Sequence, residues 1–339
     1  MKLRVGLVGL GNHWDNRYRP ALKVLNDRFE VRAVCDPVAM RAEQAAKEFG
    51  ATAVDGFRAL MQRPDLEAVL ILSESWFGTL PILAACTADK AVYCAMAPDV
   101  PLPEALSLKH RVEETGVAFM IELPRRHAPA TIRLKELIAT QLGQPRILFC
   151  HLRRPAEAKT LKARDKNLVH QPSTRAELLE LVDWCRYVVG TDPQAVTGMT
   201  HHLTPDQQAE DYQMMSLDFS PIDKPGTKAV AQISCGRYVP ASWSEAVTFR
   251  PPAGLQVACE HGIAFVDLPS TLIWFDEAGR HFESLESERP VGEQVLSRFY
   301  RAVTSLVSQT SGMDDAYRAL QIVLTARDSH LEGRRIPLI

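Results

Sequence analysis

The first 122 residues alternate between short apolar runs and helical segments, and this alternation limits the fold more than any other feature. The apolar runs predict five strands at Leu3–Leu10, Phe29–Cys35, Leu66–Ser73, Ala91–Ala95 and Val117–Glu122. The segments between them predict four helices at Pro20–Leu25, Met40–Phe49, Leu80–Ala88 and Glu104–Thr115. Nearly unbroken apolar strands that alternate with helices are typical of a parallel sheet with right-handed crossovers. The pattern therefore predicts an α/β domain over residues 1–122.

The remaining part of the chain, residues 123–339, is richer in strands. Helices are predicted at Pro129–Leu142, Ala176–Val189, Gly292–Thr310 and Asp314–Glu332. Strands are predicted at Arg146–Leu152, Ala195–His201, Asp211–Phe219, Ala229–Ser234, Ser244–Arg250, Gly262–Leu268 and Leu272–Phe275. Strands with few helical crossovers favour an α+β domain with a mostly antiparallel open sheet. The polar, basic segment 155–175 has no apolar periodicity, which predicts a mobile loop.

Charge and cysteine usage exclude several function classes. The formal net charge of −2 gives no overall field that would attract nucleic acid or an acidic membrane. No apolar run reaches the roughly 18–20 residues that span a bilayer. The seven cysteines are scattered singly, which is typical of reduced thiols, and Cys35 and Cys94 are expected in the core. We therefore expect a cytoplasmic protein that acts on a small molecule.

A glycine pair follows the first predicted strand. In Gly9-Leu10-Gly11 the missing side chains would let a pyrophosphate approach backbone N–H groups at the start of a helix. Asp36 ends the second strand, where its carboxylate could accept hydrogen bonds from a ribose and would repel a 2′-phosphate. This order predicts a Rossmann-type dinucleotide site that favours NAD over NADP, and Asn12 and Ser73 complete the predicted cofactor-binding set.

Trp14 departs from the usual glycine-rich pattern. It occupies the position of the third glycine, which normally allows close packing of helix on strand. The turn is therefore expected to be longer or splayed. Two interpretations are open: a working dinucleotide site, or a Rossmann-like fold whose cofactor site has decayed.

Six segments carry a family resemblance through their order and spacing. They are VGLVGLGN near the start, AVCDP at 33–37, DLEAVLIL at 65–72, ETGVAFMIELPRRHAPATIRLKELI at 114–138, LVDWCRYVVG at 181–190 and DDAYRALQIVLTARDSHLEGRRIPL at 314–338. The chain thereby resembles the glucose–fructose oxidoreductase / inositol dehydrogenase (Gfo/Idh/MocA) family over nearly its whole length. The resemblance implies hydride transfer between NAD(P) and a sugar, polyol or related hydroxy compound, in a cleft between the two domains. It also implies a homodimer or homotetramer that associates through the C-terminal sheet.

The catalytic residues of that family do not carry over. The lysine of its Glu-Lys-Pro motif falls at Met96, or at Ala97 after a shift of one residue. The histidine of its Thr-Pro…His segment falls at Gly78, and its His-x-x-Asp pair falls at Glu180 and Asp183, which keeps only the aspartate. Because a positioned proton-transfer group contributes roughly 10²–10⁴ in rate, alcohol oxidation by the family mechanism should be impaired.

Two residues on one predicted helix could replace the lost groups. Glu180 and Asp183 are three residues apart, so both can face the same side of the helix. If two carboxylates lie close together, one pKa rises and that group becomes a candidate general base. The alternative interpretation is a helix edge on which Glu180 is simply solvated.

Predicted substrate-binding residues follow the third and fifth strands. Arg125, Arg126 and His127 fall at the domain junction, where an arginine pair would suit a carboxylate or phosphate, or would form interdomain salt bridges. Glu74 lies at the carboxyl end of a parallel strand, where open α/β sheets place ligands, although a solvated loop carboxylate is the alternative. Tyr93 is a further candidate, because its hydroxyl could lie near the missing lysine.

No metal site is predicted. His201, His202 and Asp206 match no established ligand spacing, and adjacent strand residues point to opposite faces. Two function classes remain. The first is an NAD-dependent enzyme of carbohydrate metabolism with rearranged acid–base groups, including a lyase or hydrolase that keeps NAD bound. The second is a non-catalytic sensor or regulatory subunit.

Overall fold

The computed structural model describes most of the chain. The described residues are 2–73, 78–97, 99–156, 174–202, 212–249, 252–286, 288–305 and 310–338. Contacts between residues divide the chain into two compact units. Unit 1 contains Met1–Pro124 and Arg289–Arg318, and unit 2 contains Arg125–Glu288 and Ala319–Ile339.

The N-terminal segment of unit 1 alternates strands and helices as the sequence predicts. Its strands are β1 (Leu3–Val8), β2 (Phe29–Cys35), β3 (Thr52–Ala53), β4 (Ala68–Ile71), β5 (Ala91–Cys94) and β6 (Phe119–Ile121). Its α-helices are α1 (Arg19–Val24), α2 (Ala39–Phe49), α3 (Phe57–Met61), α4 (Leu80–Thr87) and α5 (Leu102–Thr115). A π-helix at Trp14–Tyr18 runs directly into α1.

Unit 2 begins with helices and continues with strands. Its helices are α6 (Pro129–Leu137), which continues as a π-helical turn at Ile138–Leu142, α7 (Thr174–Val189) and α8 (Ser244–Thr248). Its strands are β7 (Pro145–Pro155), β8 (Ala195–His201), β9 (Tyr212–Asp218), β10 (Val230–Val239), β11 (Leu255–Cys259), β12 (Ile263–Asp267), β13 (Thr271–Asp276) and β14 (Gly279–Ser284).

The end of the chain contributes to both units. Helix α9 (Val291–Thr304) and strand β15 (Thr310–Ser311) belong to unit 1. Helix α10 (Met313–Glu332) passes from unit 1 into unit 2, and β16 (Ile336–Pro337) belongs to unit 2. This arrangement differs from the predicted division into residues 1–122 and 123–339. The apolar face of α9 explains the difference, because Val295, Leu296 and Phe299 are fully buried in the unit 1 core.

The sheet of unit 1 is parallel, as the sequence predicts. Within the described ranges its strand order is β15-β6-β5-β4-β1-β2-β3, and every pairing is parallel. Its central strands are buried on both faces because α1, α2 and α9 cover one side and α3, α4 and α5 cover the other, whereas the edge strand β3 is exposed. The two buried cysteines predicted for the core, Cys35 and Cys94, are confirmed.

The sheet of unit 2 is mixed and mostly antiparallel, which confirms the predicted fold class. In the described residues its order is β14-β13-β12-β11-β7-β10-β9-β8-β16, and only the β7–β10 pair is parallel. Its strands alternate buried and partly exposed residues, so one face packs on α6 and α7. One strand prediction is wrong: residues 244–248 form α8, whereas Leu255–Cys259 and Gly279–Ser284 form strands that were not predicted.

Candidate functional site

The turn after β1 has a backbone that only glycine adopts without strain. Gly9 and Gly11 have φ angles of +66° and +61°. A Cβ atom on Gly11 would overlap the backbone carbonyl oxygen of Leu72, and one on Gly9 would lie 3.0 Å from the Cβ of Ser73. The turn therefore presses directly against the carboxyl end of β4.

Asp36 is fixed beside this turn by two backbone hydrogen bonds. Its Oδ2 accepts from the N–H of Leu10 at 2.8 Å, and its Oδ1 accepts from the N–H of Val38 at 2.9 Å. The side chain is half-buried, so the carboxylate holds one orientation and remains partly accessible. Each carboxylate oxygen has a second lone pair, which leaves acceptor capacity for the hydroxyls of a ribose.

Arg41 is a residue of this site that the sequence analysis missed. It lies in the first turn of α2, five residues after Asp36, and its Nη2 donates to the carbonyl of Gly11 at 3.2 Å. An arginine on the adenosine side of a Rossmann turn can accommodate a 2′-phosphate. The available signal was a cation one helical turn beyond the strand-ending carboxylate.

Trp14 explains how the turn works without a third glycine. The indole is 6% exposed and packs on the ring of Phe49, with 5.9 Å between ring centroids. The helix that begins at Trp14 is a π-helix, in which the N–H groups of Arg17 and Tyr18 both donate to the carbonyl of His13. This wider helical turn is the splayed turn that the bulky residue predicts.

The predicted cofactor residues of unit 1 come together at one edge of the sheet. Gly9, Gly11 and Asp36 follow the carboxyl ends of β1 and β2, and half-buried Ser73 lies next to Gly9. Asn12 is exposed at the start of the helical turn. This is the edge at which open α/β sheets bind ligands.

The segment after β5 contains no amine. Ala95 is buried, and Met96 packs partly buried against the core. The predicted role of Tyr93 near this segment is wrong. Its side chain is fully buried and its hydroxyl donates to the carboxylate of Glu122, inside the core.

In unit 2 the structure brings four of the predicted residues together as two ion pairs. Arg125 Nε donates to Glu180 at 3.2 Å, and Arg126 Nε donates to Asp183 at 2.7 Å. Both arginines lie in the short 3₁₀ helix Pro124–His127, and both carboxylates lie on α7. Asp183 is 1% exposed, whereas Glu180 is partly accessible to solvent.

Two aromatic rings of α7 each contact one of the two guanidinium groups. The guanidinium of Arg125 lies 5.4 Å from the ring centroid of Trp184, and that of Arg126 lies 5.1 Å from the centroid of Tyr187. Such cation–π contacts add to the ion pairs and restrict the arginine rotamers. The proposed carboxylate pair is therefore organised as two separate arginine–carboxylate units.

Glu177 lies on α7 about one helical turn before Glu180, and the sequence analysis did not predict it as a site residue. It is 5% exposed, and its two oxygens accept from Arg154 at 3.1 Å and from Arg237 at 3.0 Å. Glu177, Glu180 and Asp183 are each three residues apart and follow one face of α7. Arg186 Nη1 lies 3.6 Å from Asp183 Oδ1 as a further partner. We call these three carboxylates and the five arginines that contact them the α7 row. The repeated spacing of acids was the sequence signal.

The remaining predicted residues contribute less. His127 is half-buried in the 3₁₀ helix beside Arg126. Glu74 lies outside the described residues, as does Asp206 of the rejected metal candidate. His201 is an exposed residue at the end of β8, opposite Tyr212.

Comparison with known proteins shows which family and which enzymes this chain resembles. Residues 3–123 match the sequence model of the oxidoreductase family with an NAD-binding Rossmann fold. The N-terminal third of the chain thus matches the Gfo/Idh/MocA family. Inositol 2-dehydrogenase of Acidothermus cellulolyticus is 28% identical over 202 residues, which cover 58% of this chain and 57% of that protein. The chain thus spans little more than half the length of the curated relatives that it matches.

Solved structures share the fold over the full length of the chain. Levoglucosan dehydrogenase in complex with NADH and levoglucosan superposes with a TM-score of 0.82, at 16% identity and 99% coverage of both chains. Aldose-aldose oxidoreductase from Caulobacter crescentus gives a TM-score of 0.81, at 15% identity and 100% coverage of both chains. At these identities the likeness concerns the fold. Among the residues that the structure describes, no helix is long and apolar enough to cross a membrane.

Proposed function

We propose that this protein is an NAD(P)-dependent oxidoreductase that acts on a hydroxyl group of a sugar, polyol or sugar acid. The observation that carries the proposal is the turn at Gly9 and Gly11, with the Asp36 carboxylate anchored to it by the N–H of Leu10. A dinucleotide-binding turn needs a backbone that the pyrophosphate can approach closely and a carboxylate that accepts hydrogen bonds from the ribose, and both features are present. The nicotinamide would supply hydride chemistry when bound, and the chain's own residues would bind and orient it.

The charges at the turn support NAD as the preferred cofactor. The Asp36 carboxylate would accept from the ribose hydroxyls of NAD and repel the 2′-phosphate of NADP. Arg41 lies close enough to soften this preference, because its guanidinium already contacts the carbonyl of Gly11. We therefore expect NADPH to bind more weakly than NADH and still measurably.

The α7 row supports a substrate with an anionic group. Five arginines contact the three carboxylates of this row, and one of them, Arg186, also pairs with Asp192, so with Asp192 included the arginines outnumber the carboxylates by one. Planar guanidinium groups held by ion pairs and aromatic rings match the geometry of a carboxylate or phosphate. A sugar acid fits this chemistry better than a neutral polyol. Within the same row, partly accessible Glu180 is the proposed proton acceptor, and Arg125 would set its orientation.

A second function is favoured by the segment after β5. Because Met96 and Ala97 have no polar side-chain group that could polarise the reacting oxygen, oxidation of an alcohol would lack the amine that the family uses. A lyase or hydrolase that keeps NAD bound, or a non-catalytic sensor, would need the cofactor turn and not that amine. Only the oxidoreductase would show net hydride transfer between substrate and cofactor.

Self-association is proposed through the sheet of unit 2. Its outward face exposes apolar side chains on several strands, including Ile147 of β7 and Phe275 of β13, which lie in one cross-strand row with β11 and β12 between them. The rings of Phe265 and Phe275 lie edge to face on the same surface, with centroids 6.1 Å apart. An apolar patch of this kind favours burial against a second copy, which supports a homodimer or homotetramer.

Calorimetric titration of cofactor-stripped protein with NAD⁺, NADH and NADPH is the test of the proposed function. Micromolar binding of NAD(H), with weaker NADPH, is the expected result. Absorbance at the NADH band with a panel of uronates, aldonates and polyols then separates oxidoreductase from non-redox function. Failure of all three cofactors to bind at millimolar concentration would refute both candidate functions that need the turn.

A further inference from the structure

A buried polar cluster lies beneath the cofactor turn of unit 1. Glu122 follows β6 and is 1% exposed. Its carboxylate accepts from Arg17 Nη1 at 2.7 Å, from the Tyr18 hydroxyl at 2.6 Å and from the Tyr93 hydroxyl. We call these four residues the Glu122 cluster. Burial of a carboxylate costs free energy unless the group is paired and hydrogen-bonded. The three donors that converge on Glu122 therefore indicate that the fold requires this arrangement.

The electrostatics of the cluster keep Arg17 charged and the tyrosines neutral. Burial and the nearby negative charge of Glu122 raise the pKa of Tyr18 and of Tyr93 well above the usual value. Burial acts to lower the pKa of Arg17, but the charge of Glu122 together with the contributions of Tyr18 and Tyr93 outweighs it, and the pKa is raised. Both hydroxyls therefore remain donors near neutral pH, and the ion pair has no net charge.

The cluster is attached to the turn through the π-helix. Arg17 and Tyr18 are the last two residues of the π-helix, and their backbone N–H groups donate to the carbonyl of His13 at 3.0 Å and 3.2 Å. His13 is two residues beyond Gly11. On the opposite side, a Cβ atom on Gly292 of α9 would lie 2.7 Å from the carbonyl oxygen of Arg17, so α9 presses on the same backbone.

Glu122 is itself fixed to the sheet. Its backbone N–H donates to the carbonyl of Cys94 at 2.7 Å, which places it next to Ala95 in the β5–β6 register. The cluster thus links the end of the parallel sheet to the helical turn whose backbone would meet a pyrophosphate. A wide π-helical turn has weaker internal hydrogen bonds than an α-helix, so an external anchor has more influence on its direction.

We propose that Glu122 is a positioning residue that holds the π-helix, and with it the pyrophosphate-binding turn, in the orientation that binds the dinucleotide. The proposal rests on the cofactor binding proposed above. Glu122 acts through Arg17 and Tyr18 and does not contact the ligand. Tyr93 completes the acceptor pairing of Glu122 from the sheet side.

The experiment compares three variants of the full chain with the wild type. Tyr93→Phe removes one donor and keeps the ion pair, and the double variant Arg17→Gln with Glu122→Gln removes both charges without leaving either unpaired. Tyr300→Phe is the matched control, because Tyr300 packs edge to face on Phe29 in the same core, with ring centroids 5.8 Å apart. Tyr300 is not one of the four residues that define the Glu122 cluster.

The first readout is hydrogen exchange of ligand-free protein, followed by mass spectrometry on peptides that cover residues 9–18. We expect exchange about tenfold faster in Tyr93→Phe and in the double variant, with the β1 and β2 peptides unchanged. The control should match the wild type. Unchanged exchange of the 9–18 peptides in Tyr93→Phe and the double variant would overturn the proposal.

The second readout compares the dissociation constants of ADP-ribose and adenosine. Misplacement of the turn should weaken ADP-ribose about tenfold and leave adenosine within about twofold, because only ADP-ribose contains the pyrophosphate. Equal weakening of both ligands would indicate general destabilisation and overturn the proposal. Failure of the wild type to bind ADP-ribose would refute the proposed function, whereas the exchange readout, which uses no ligand, still decides the positioning role.

Discussion

Replacement of Asp36 by alanine gives the sharpest test of the cofactor site. In the folded protein the Asp36 carboxylate accepts from the N–H groups of Leu10 and Val38, and it has one further lone pair on each oxygen. Hydrogen bonds from ribose hydroxyls to a carboxylate are worth about 1.5–3 kcal/mol. Their loss should therefore raise the NADH dissociation constant by about 10- to 150-fold.

Loss of the carboxylate has a smaller effect on folding. The N–H groups of Leu10 and Val38 would each lose an acceptor, and water can replace it because the site is half-buried. We expect a decrease of about 1 kcal/mol in the free energy of unfolding. NADPH should lose much less affinity than NADH, since the repulsion between Asp36 and a 2′-phosphate also disappears and Arg41 remains nearby.

The assay is calorimetric titration of Asp36→Ala with NADH and NADPH, with urea unfolding measured on the same preparation. Asp36→Asn serves as the control, because it keeps one acceptor oxygen and removes the charge. Its NADH affinity should lie between those of the wild type and Asp36→Ala. An NADH dissociation constant within twofold of the wild type in Asp36→Ala would refute the assignment of this carboxylate to the ribose.

Further predictions concern the turn, the thiols and acid stability. Gly11→Ala should abolish measurable NADH binding in the same titration, because the new Cβ would overlap the Leu72 carbonyl and left-handed backbone costs a non-glycine residue about 1–2 kcal/mol; retained micromolar binding would contradict it. Burial, with the charge of a neighbouring glutamate, raises the pKa of the Cys235 thiol to about 12 and that of Cys259 to about 11. Native protein at pH 8 should therefore be alkylated by iodoacetamide at these positions far more slowly than unfolded protein, as measured by mass spectrometry of peptides. Partial burial acts to raise the pKa of Glu67, but hydrogen bonds from the backbone and guanidinium of Arg4 outweigh it and lower that pKa. A lowered carboxyl pKa contributes stability that is present above the unfolded-state pKa and is lost as the pH falls through the folded-state value. The urea midpoint of Glu67→Gln should thus depend less on pH below about 4.5 than that of the wild type, and parallel curves would argue against this ion pair.

The sequence predicts the parallel sheet of unit 1 well because its strands are buried on both faces. A strand such as Leu3–Val8 has almost no polar residue, and the predicted strand differs from it only by ending two residues later, at Leu10. Gly9 ends it, since a left-handed φ cannot continue a strand. The strand prediction for residues 244–248 is wrong because so short a run carries too little information to separate a strand from a single helical turn.

Charged residues of the candidate site were harder to predict than glycines. Gly9 and Gly11 have a local signature that follows from backbone geometry. Arg41 and Glu177, in contrast, look like solvated positions on helices, and only long-range packing brings them to the turn and to the α7 row. Glu122 is similar, because nothing near it in sequence shows that three distant donors converge on its carboxylate.

The return of the chain to unit 1 has a consequence for biosynthesis. Phe299 of α9 packs on the ring of Tyr93, with centroids 5.5 Å apart, and Val295 and Leu296 fill the same core. A ribosome that adds about 5–20 residues per second would need roughly 10–40 s to proceed from residue 124 to residue 304. Throughout that interval the part of the apolar sheet face that α9 covers stays exposed, so the core of the cofactor-binding unit is completed only after α9 has been synthesised.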